Sequence, residues 1–290
     1  MAEAMNQAVV TLEGQALGLP MLLHVSQARS HVASRVAWHA HEAFELLFLL
    51  EGATGYEFAG GAAAELHGGH FLVIPPGVVH RGRHDLRAPC TLCGLAFRAA
   101  RAAEWKGTVF AAGDVRRLRE QLQSATREEH PFTPALRWYV RRLMQATADY
   151  ACSPARAEAA VALRALICGV LVEIQPSLAA PAQPPKVFVS AAIAYLRQHL
   201  RERVSMSDLA RHVGFGRARM FDLFKAETGL TPHDYLQRLR VEKAQQQLRQ
   251  TNLPITEIAL STGFSSHQHF CAVFSRYTGL SPARFRKNRG

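Results

Sequence analysis

Hydrophobic residues in the first third of the chain alternate with polar ones over short stretches that are separated by glycine. Residues 31–98 contain HVASRVAWHAH, the apolar run FELLFLL, GYEF and GHFLVIP, and glycines stand between these segments. Short alternating segments with glycine turns are typical of strands in a β-sandwich or barrel. We therefore expect a β-rich domain over residues 1–105.

The pattern becomes helical over residues 106–175. Apolar residues recur there at spacings of three and four, which places them on one face of a helix. We expect these helices to link the β-rich domain to the rest of the chain and to mediate dimerisation, although the barrel itself is the other candidate for the dimer contact. The periodic positions are Val115, Leu118, Leu122, Leu136, Tyr139, Val140, Leu143, Met144, Val161, Leu163, Leu166, Ile167, Val170 and Leu171.

A proline-rich segment precedes an internal repeat. Residues 176–186, PSLAAPAQPPK, hold four prolines without helical or strand periodicity and predict a linker over 176–187. Beyond it, SDLARHVGF (207–215) matches TEIALSTGF (256–264), and FKAETGLTP (224–232) matches FSRYTGLSP (274–282). Each copy predicts a helix, a glycine turn and a second amphipathic helix, which is the pattern of a helix-turn-helix motif.

Charge separates the two parts of the chain. The formal net charge is +11, from 34 Lys and Arg against 23 Asp and Glu. Residues 1–185 carry 17 basic and 16 acidic side chains, whereas residues 186–290 carry 17 basic and 7 acidic ones. This asymmetry favours a nucleic-acid-binding domain attached to a neutral one, and a merely solvated basic face is the alternative. Five cysteines with no signal peptide and no apolar run of membrane length favour a reduced cytoplasmic protein without a membrane partner.

The second repeat carries a specific signature. It has the form I-x-x-I-A-x-x-x-G-F followed by F-x-x-x-F-x-x-x-x-G-x-S-P, and it resembles the AraC/XylS family of bacterial transcription regulators. The resemblance covers residues 188–289 and implies that exposed residues of each second helix contact promoter DNA. Asp222 and Ala272 depart from the family, which often has Arg there, and Gly216 replaces the usual Ser or Thr N-cap. The implied DNA-binding residues are Arg217, Ala218, Arg219, Phe221, Asp222, Lys225, Ser266, His267, Gln268, His269, Ala272 and Arg276.

The β-rich domain contains a group of histidines. His39, His41 and Glu45 are spaced to share one face of a strand, and His80 follows in G-x(5)-P-x-G-x-x-H. These segments resemble the two cupin motifs, with Ala33 and His84 at positions where cupins have Gly and Asn. The resemblance implies either one divalent metal (Zn, Ni, Fe or Mn) or a polar pocket for a small-molecule effector. Trp38 and Phe48 are the further candidates for effector contact.

Together these observations predict an α+β protein: a cupin-like β-barrel over 1–105, helices over 106–175, a linker over 176–187 and an all-α domain with two helix-turn-helix motifs over 188–290. The function expected is that of a homodimeric transcription regulator that senses a small molecule or metal and, if it is an activator, contacts RNA polymerase. The alternative is a metal-dependent cupin enzyme of the dioxygenase or isomerase type fused to a DNA-targeting module; no catalytic residues are predicted.

Overall fold

The N-terminal region combines an antiparallel sheet with helices packed on one side of it. The computed structural model describes residues 7–125, 128–153, 157–179 and 187–287. We call 7–179 the N-terminal region and 187–287 the C-terminal region. The strands are β1 (Gln7–Glu13), β2 (Leu22–Ser30), β3 (Ser34–Arg35), β4 (Phe44–Phe58), β5 (Ala63–His67), β6 (His70–Ile74), β7 (His80–Gly82), β8 (Leu86–Arg87), β9 (Cys90–Phe97) and β10 (Glu129–Pro131).

The long strand β4 organises the sheet. Its first half pairs with β6 and β9, and its second half pairs with β5 and β7. The pairing with β9 shifts register between Leu49 and Glu51, just before Gly52, whose φ of +98° suits glycine alone. This bend turns the second half of β4 away from the first, and the strand order β1-β2-β9-β4-β6-β10 follows along the first half.

Three strands depart from the sequence prediction. β1 and β2 lie before residue 31, where no strand was predicted, and the whole of β1 pairs with β2. β10 lies within the segment predicted to be helical and pairs with β6. Conversely, the alternating segment 31–41 forms only the two-residue β3 and an isolated bridge between His39 and His80.

Three helices cover one face of this sheet: α1 (Ala112–Ser124), α2 (Pro134–Cys152) and α3 (Ala157–Ala179). Their apolar faces pack with Phe48, Phe71, Leu95 and Trp105 into the larger core, which confirms the predicted helical periodicity except at Val161, which is exposed. The opposite face of the sheet forms a second apolar cluster. The predicted linker is helical through Ala179 and again at Val187, and its residues 180–186 lie outside the described part.

One helix differs from the expectation that no apolar segment reaches membrane length. By length and composition alone, Glu158–Ala179 in α3 is apolar enough to cross a membrane. Leu163, Ile167, Leu171 and Ile174 on this helix are nevertheless fully buried within the core of the N-terminal region. Their burial shows that much of its apolar character serves packing inside the protein.

The C-terminal region is all helical and contains two similar halves joined by one long helix. Its helices are α4 (Val187–Gln198), α5 (Met206–His212), α6 (Arg217–Thr228), α7 (Pro232–Gln250), α8 (Ile255–Ser261), α9 (His267–Thr278) and α10 (Pro282–Lys287). The glycine turn Gly214 connects α5 to α6, and Gly263 connects α8 to α9; both have positive φ. The first half has one apolar core and the second half another, and α7 contributes residues to both.

Candidate functional site

Four side chains predicted from the sequence meet near the start of β4 in the N-terminal region. We call His39, His41, Glu45 and His80 the His–Glu cluster, because one ligand atom from each lies within 4.8 Å of all the others. Only Glu45 and His80 come from regular strands, since His41 lies in the loop before β4. The prediction that His39, His41 and Glu45 share a face of one strand is therefore wrong, yet the backbone pairing of His39 with His80 brings the groups together.

The three imidazoles are oriented by the backbone in the same way. Nδ1 of His39 lies 2.9 Å from the carbonyl oxygen of Ala37, Nδ1 of His41 lies 3.1 Å from that of Ala43, and Nδ1 of His80 lies 2.9 Å from that of Val78. A carbonyl oxygen only accepts hydrogen bonds, so each Nδ1 carries the proton. In a neutral imidazole this leaves Nε2 with a free lone pair, which is the arrangement found in metal-binding histidines.

Glu45 lies between two of these rings. Its Oε2 is 3.2 Å from Nε2 of His41 and 3.2 Å from Nε2 of His80. Burial alone would raise the pKa of Glu45, but the hydrogen bonds from the two histidines outweigh burial and lower its pKa to about 2. The same hydrogen bond raises the pKa of His41. The carboxylate therefore requires positive charge beside it, either from protonated imidazoles or from a bound cation.

The cluster opens to solvent on one side and meets apolar residues on the other. His39 is exposed, whereas the side chain of His80 is only 1% exposed, with the ring of Phe58 6.5 Å away. Trp38 is 46% exposed, and the Arg81 guanidinium lies 4.5 Å from its ring centroid. A ligand bound at the cluster would therefore be reached from the His39 side.

Phe48 does not lie beside the cluster. It follows Glu45 by three positions on β4, so its side chain points to the opposite face of the strand. It is buried in the larger core, with its ring centroid 5.5 Å from that of Phe71. The sequence prediction missed His24, whose pKa burial lowers and which interacts electrostatically with Glu45 and His41. It lies on β2, a strand that the hydrophobic pattern did not indicate.

The exposed surfaces of α6 and α9 form the second candidate site, and we call these two the recognition helices. Most of the predicted DNA-binding residues are exposed: six lie on the first turns of the two helices, and Asp222, Lys225, Ala272 and Arg276 lie on later turns. Phe221 and Ser266 are only partly exposed. Phe221 packs against the first core of the C-terminal region, and the Ser266 hydroxyl accepts a hydrogen bond from the His269 N–H at 3.2 Å. The exposed residues are Arg217, Ala218, Arg219, Asp222, Lys225, His267, Gln268, His269, Ala272 and Arg276.

The two recognition helices begin differently. Ser266 caps α9 with its side chain, whereas Gly216 at the same position before α6 offers no side-chain cap. A side-chain cap contributes about 1 kcal/mol to helix stability relative to Ala, although Gly is only a few tenths worse than Ser. The first recognition helix therefore starts with one fewer hydrogen bond, as its sequence indicated.

Arg240 joins the two halves of the C-terminal region. It lies on α7 between Leu239, which packs in the first core, and Val241, which packs in the second. Its Nε–H donates to the carbonyl of Leu200 at 2.9 Å, its Nη2–H donates to that of Glu202 at 2.7 Å, and its guanidinium carbon lies 5.9 Å from the ring centroid of Phe264. This buried side chain thus contacts the loop before α5 and the turn between α8 and α9.

Comparisons with known proteins cover both regions. The model described as an AraC-like ligand binding domain matches residues 25–167, and the one described as a helix-turn-helix domain matches residues 192–288. The uncharacterized HTH-type transcriptional regulator YobQ of Bacillus subtilis is 27% identical over 248 residues, which are 86% of this chain and 88% of that protein. The MmsAB operon regulatory protein of Pseudomonas aeruginosa is 26% identical over 284 residues, or 91% and 80% of the two chains. The HTH-type transcriptional activator AarP of Providencia stuartii is 32% identical over 98 residues, or 34% and 73%.

Proposed function

Because the chain belongs to the AraC family of transcriptional regulators, we propose that it controls transcription in response to a divalent metal ion held by the His–Glu cluster. The family models and the named relatives support a DNA-binding regulator with an N-terminal ligand-binding domain. These relatives are regulators, so they give no support to the alternative of a metal-dependent enzyme. What remains to be proposed is the ligand, the mode of DNA binding and the assembly.

The observation that carries the metal proposal is the shared orientation of three histidines. Each Nδ1–H donates to a backbone carbonyl, which leaves Nε2 of His39, His41 and His80 and the carboxylate of Glu45 as ligands. Neutral imidazole with carboxylate suits Zn, Ni, Fe and Mn. The bound ion would supply the positive charge that Glu45 requires and would tie the segment before β4 to β7.

DNA binding would use both recognition helices. The helix pair α5–α6 around Gly214 and the helix pair α8–α9 around Gly263 have the arrangement of helix-turn-helix units, and α7 holds the two pairs at a fixed separation. Two recognition helices joined rigidly can enter successive turns of the major groove. Arg219 and Gln268 have exposed side chains whose donors and acceptors match guanine and adenine, respectively.

The N-terminal strands would close into a cupin-like barrel. The strands β5 and β7, which pair with β4 after its bend at Gly52, would complete the wall of that barrel. A homodimer would use the outer faces of α2 and α3, where Trp138, Val161 and Val172 are exposed. The dimer would act on promoter DNA in the cytoplasm and, as an activator, would contact RNA polymerase.

A thermal-shift experiment tests the metal proposal. The full-length protein is stripped with chelator and then titrated with Zn²⁺, Ni²⁺, Fe²⁺ or Mn²⁺. An ion at 100 times its Kd stabilises the folded state by about 2.7 kcal/mol, which corresponds to an increase in melting temperature of about 5–10 °C. Glu45→Gln and His80→Ala should abolish that increase. Glu129→Gln is the matched control, because Glu129 also pairs with a histidine, His67, in the same region.

The outcomes separate the hypotheses. An increase that survives in both cluster variants would place the ion elsewhere, and no increase with any of the four ions would refute the metal and favour an organic effector. DNA binding is tested by electrophoretic mobility with DNA from upstream of the protein's own gene. We expect a sequence-specific complex whose affinity falls steeply with salt, and salt-insensitive binding would count against the proposed DNA interface.

A further inference from the structure

The N-terminal region contacts the C-terminal end of both recognition helices through the backbone. The Gly52 N–H donates to the carbonyl of Gly229, the residue that ends α6, at 3.1 Å. The Ala33 N–H donates to the carbonyl of Arg276, in the last turn of α9, at 2.9 Å. The last four carbonyls of a helix have no partner within it, so these donors satisfy groups that would otherwise need water.

The contact at Gly229 is too close for any side chain. A Cβ at this position would lie 2.3 Å from the Gly52 carbonyl oxygen and 2.5 Å from the Gly68 nitrogen. Gly279 ends α9 with nearly the same backbone, since its φ is +69° and that of Gly229 is +71°. A Cβ at Gly279 would lie 3.4 Å from its nearest neighbour, the Ala33 carbonyl oxygen, which is close to an ordinary van der Waals contact. The first recognition helix is therefore docked tightly, and the second is held mainly by its single hydrogen bond.

An ion pair crosses the same interface. Arg238 on α7 forms a short ion pair with Glu65 on β5, and its Nε–H donates to Glu242 in its own helix at 2.8 Å. Glu65 also pairs with Arg83 of the N-terminal region. The Arg238 side chain is only 12% exposed, so this charge is largely desolvated and depends on its carboxylate partners.

Both backbone contacts are connected directly to the His–Glu cluster. Ala33 and His39 belong to one short segment. The Gly82 N–H donates to the Val36 carbonyl, the Val36 N–H donates to the Asp85 carbonyl, and His39 pairs with His80. Glu45 and Gly52 lie on the same strand, β4. A continuous backbone segment thus links the cluster to each contact: the segment from Ala33 to His39 leads to the end of α9, and β4 leads to the end of α6.

We propose that the N-terminal region positions both recognition helices through these contacts, and that occupancy of the His–Glu cluster is transmitted to DNA affinity along the two stretches. This inference rests on the proposed function for the identity of the ligand. A ligand shifts a conformational equilibrium only by its differential affinity for the two states. An ion that ties the 33–41 segment to β4 and β7 stabilises the docked arrangement, in which both helices are presented together, and so increases DNA affinity.

The experiment compares Gly229→Ala with Gly279→Ala in the full-length chain. Both replacements place alanine at a left-handed helix end and so impose a similar backbone strain, but only the first clashes with the N-terminal region, since the Cβ at position 279 would lie at 3.4 Å from Ala33. DNA affinity is measured by fluorescence anisotropy with and without Zn²⁺ on chelator-stripped protein. We expect Zn²⁺ to increase the affinity of the wild type and of Gly279→Ala by about 5- to 150-fold, the usual range for coupled sites, and to leave that of Gly229→Ala unchanged. Equal responses of the two variants would overturn the inference.

Hydrogen exchange at the Gly52 amide separates this inference from the metal proposal. We expect the amide to be protected in the wild type and in Gly279→Ala and to exchange rapidly in Gly229→Ala, whether or not the protein binds Zn²⁺. If the wild type shows no thermal shift with metal, the proposed ligand fails, but protection at Gly52 still decides the docking. An unprotected Gly52 in the wild type would refute the docking even if metal binds.

A second pair of variants keeps the inference testable if Gly229→Ala does not fold. Glu65→Gln removes the partner of Arg238 across the interface, whereas Glu242→Gln removes the partner within α7. We expect the Zn²⁺-dependent increase in DNA affinity to fall at least several-fold in Glu65→Gln and to persist in Glu242→Gln. The thermal shift with Zn²⁺ should remain in both, and equal DNA responses would overturn the inference.

Discussion

Replacing Arg240 with methionine should separate the two halves of the C-terminal region. Methionine retains much of the aliphatic packing between Leu239 and Val241 but removes both hydrogen bonds from the guanidinium. Arg240 is 8% exposed, so the two carbonyls it contacts lose a partner in a largely buried setting. The substitution therefore removes hydrogen bonds at the contact between the two halves and leaves most of each apolar core intact.

The expected loss of stability is large. Hydrogen bonds from a charged donor contribute about 1.5–3 kcal/mol each, so two of them predict a decrease of about 3–5 kcal/mol in the free energy of unfolding of the C-terminal region. A domain of this size is stable by only about 5–15 kcal/mol. Arg219→Met is the matched control, because Arg219 is exposed on α6 and such substitutions change stability by less than about 0.5 kcal/mol.

The positions of the three tryptophans make the assay specific. Trp38, Trp105 and Trp138 all lie in the N-terminal region, so their fluorescence reports its unfolding, whereas circular dichroism reports helices in both regions. Under urea, Arg240→Met should show an earlier loss of helical signal that precedes the change in fluorescence. A helical transition at the same urea concentration as in the wild type and in Arg219→Met would refute the role assigned to Arg240.

Three further predictions each concern the substitution of a single residue. Gln268→Ala should weaken specific DNA binding by about 1–3 kcal/mol and leave nonspecific binding unchanged, as measured by competition with unrelated DNA. Burial alone would raise the pKa of Glu129, but the hydrogen bond from His67 lowers it. The contribution of ionised Glu129 to the stability of the folded state is therefore complete above the usual carboxyl pKa and is lost as the pH falls through the lowered pKa of Glu129. Urea titrations between pH 6 and 3 should show a smaller loss of stability for Glu129→Gln than for the wild type, and parallel curves would contradict this. Gly14→Ala should lower the melting temperature followed by tryptophan fluorescence, because a Cβ would lie 2.1 Å from a backbone oxygen, whereas Gly113→Ala should not.

The helices of the C-terminal region were predictable because local rules determine them. Apolar spacing of three and four places Met220 and Phe224, and likewise Phe270 and Phe274, on the buried face of their helices. The repeat then fixed which helices correspond, without any knowledge of their packing. The cross-domain contacts at Gly229 were not predictable, since they depend on how two separately folded regions meet.

The His–Glu cluster was predictable in its members but not in its geometry. The spacing of the histidines suggested one strand, whereas the segment is irregular and is held by the N–H of Gly77, which donates to the His41 carbonyl at 2.9 Å. Side-chain convergence thus depends on backbone pairing between distant segments. Phe48 follows Glu45 by three positions, so the period of two already places it on the opposite face of β4 from the carboxylate.

The missed strands lack the signal on which the prediction depended. In β2 the buried residues Leu22, Val25 and Ala28 recur every third position, and the pairing with β9 shifts register between Leu22 and His24. Such a bulge breaks the alternation that indicates a strand. β10 is only three residues long and polar, and it forms where Glu129 accepts a hydrogen bond from the His67 backbone N–H. Neither strand carries a local pattern that distinguishes it from a loop.

The close approach of Gly229 to Gly52 and Gly68 limits how freely the two regions can be exchanged with those of related proteins. Their separate family models suggest interchangeable modules. A DNA-binding domain with any residue other than glycine at position 229 nevertheless cannot pack against this N-terminal region at the observed distance. On the coupling proposed above, a chimera that carries a side chain at position 229 would bind DNA and ligand without communication between the two, and a return to glycine should restore the coupling.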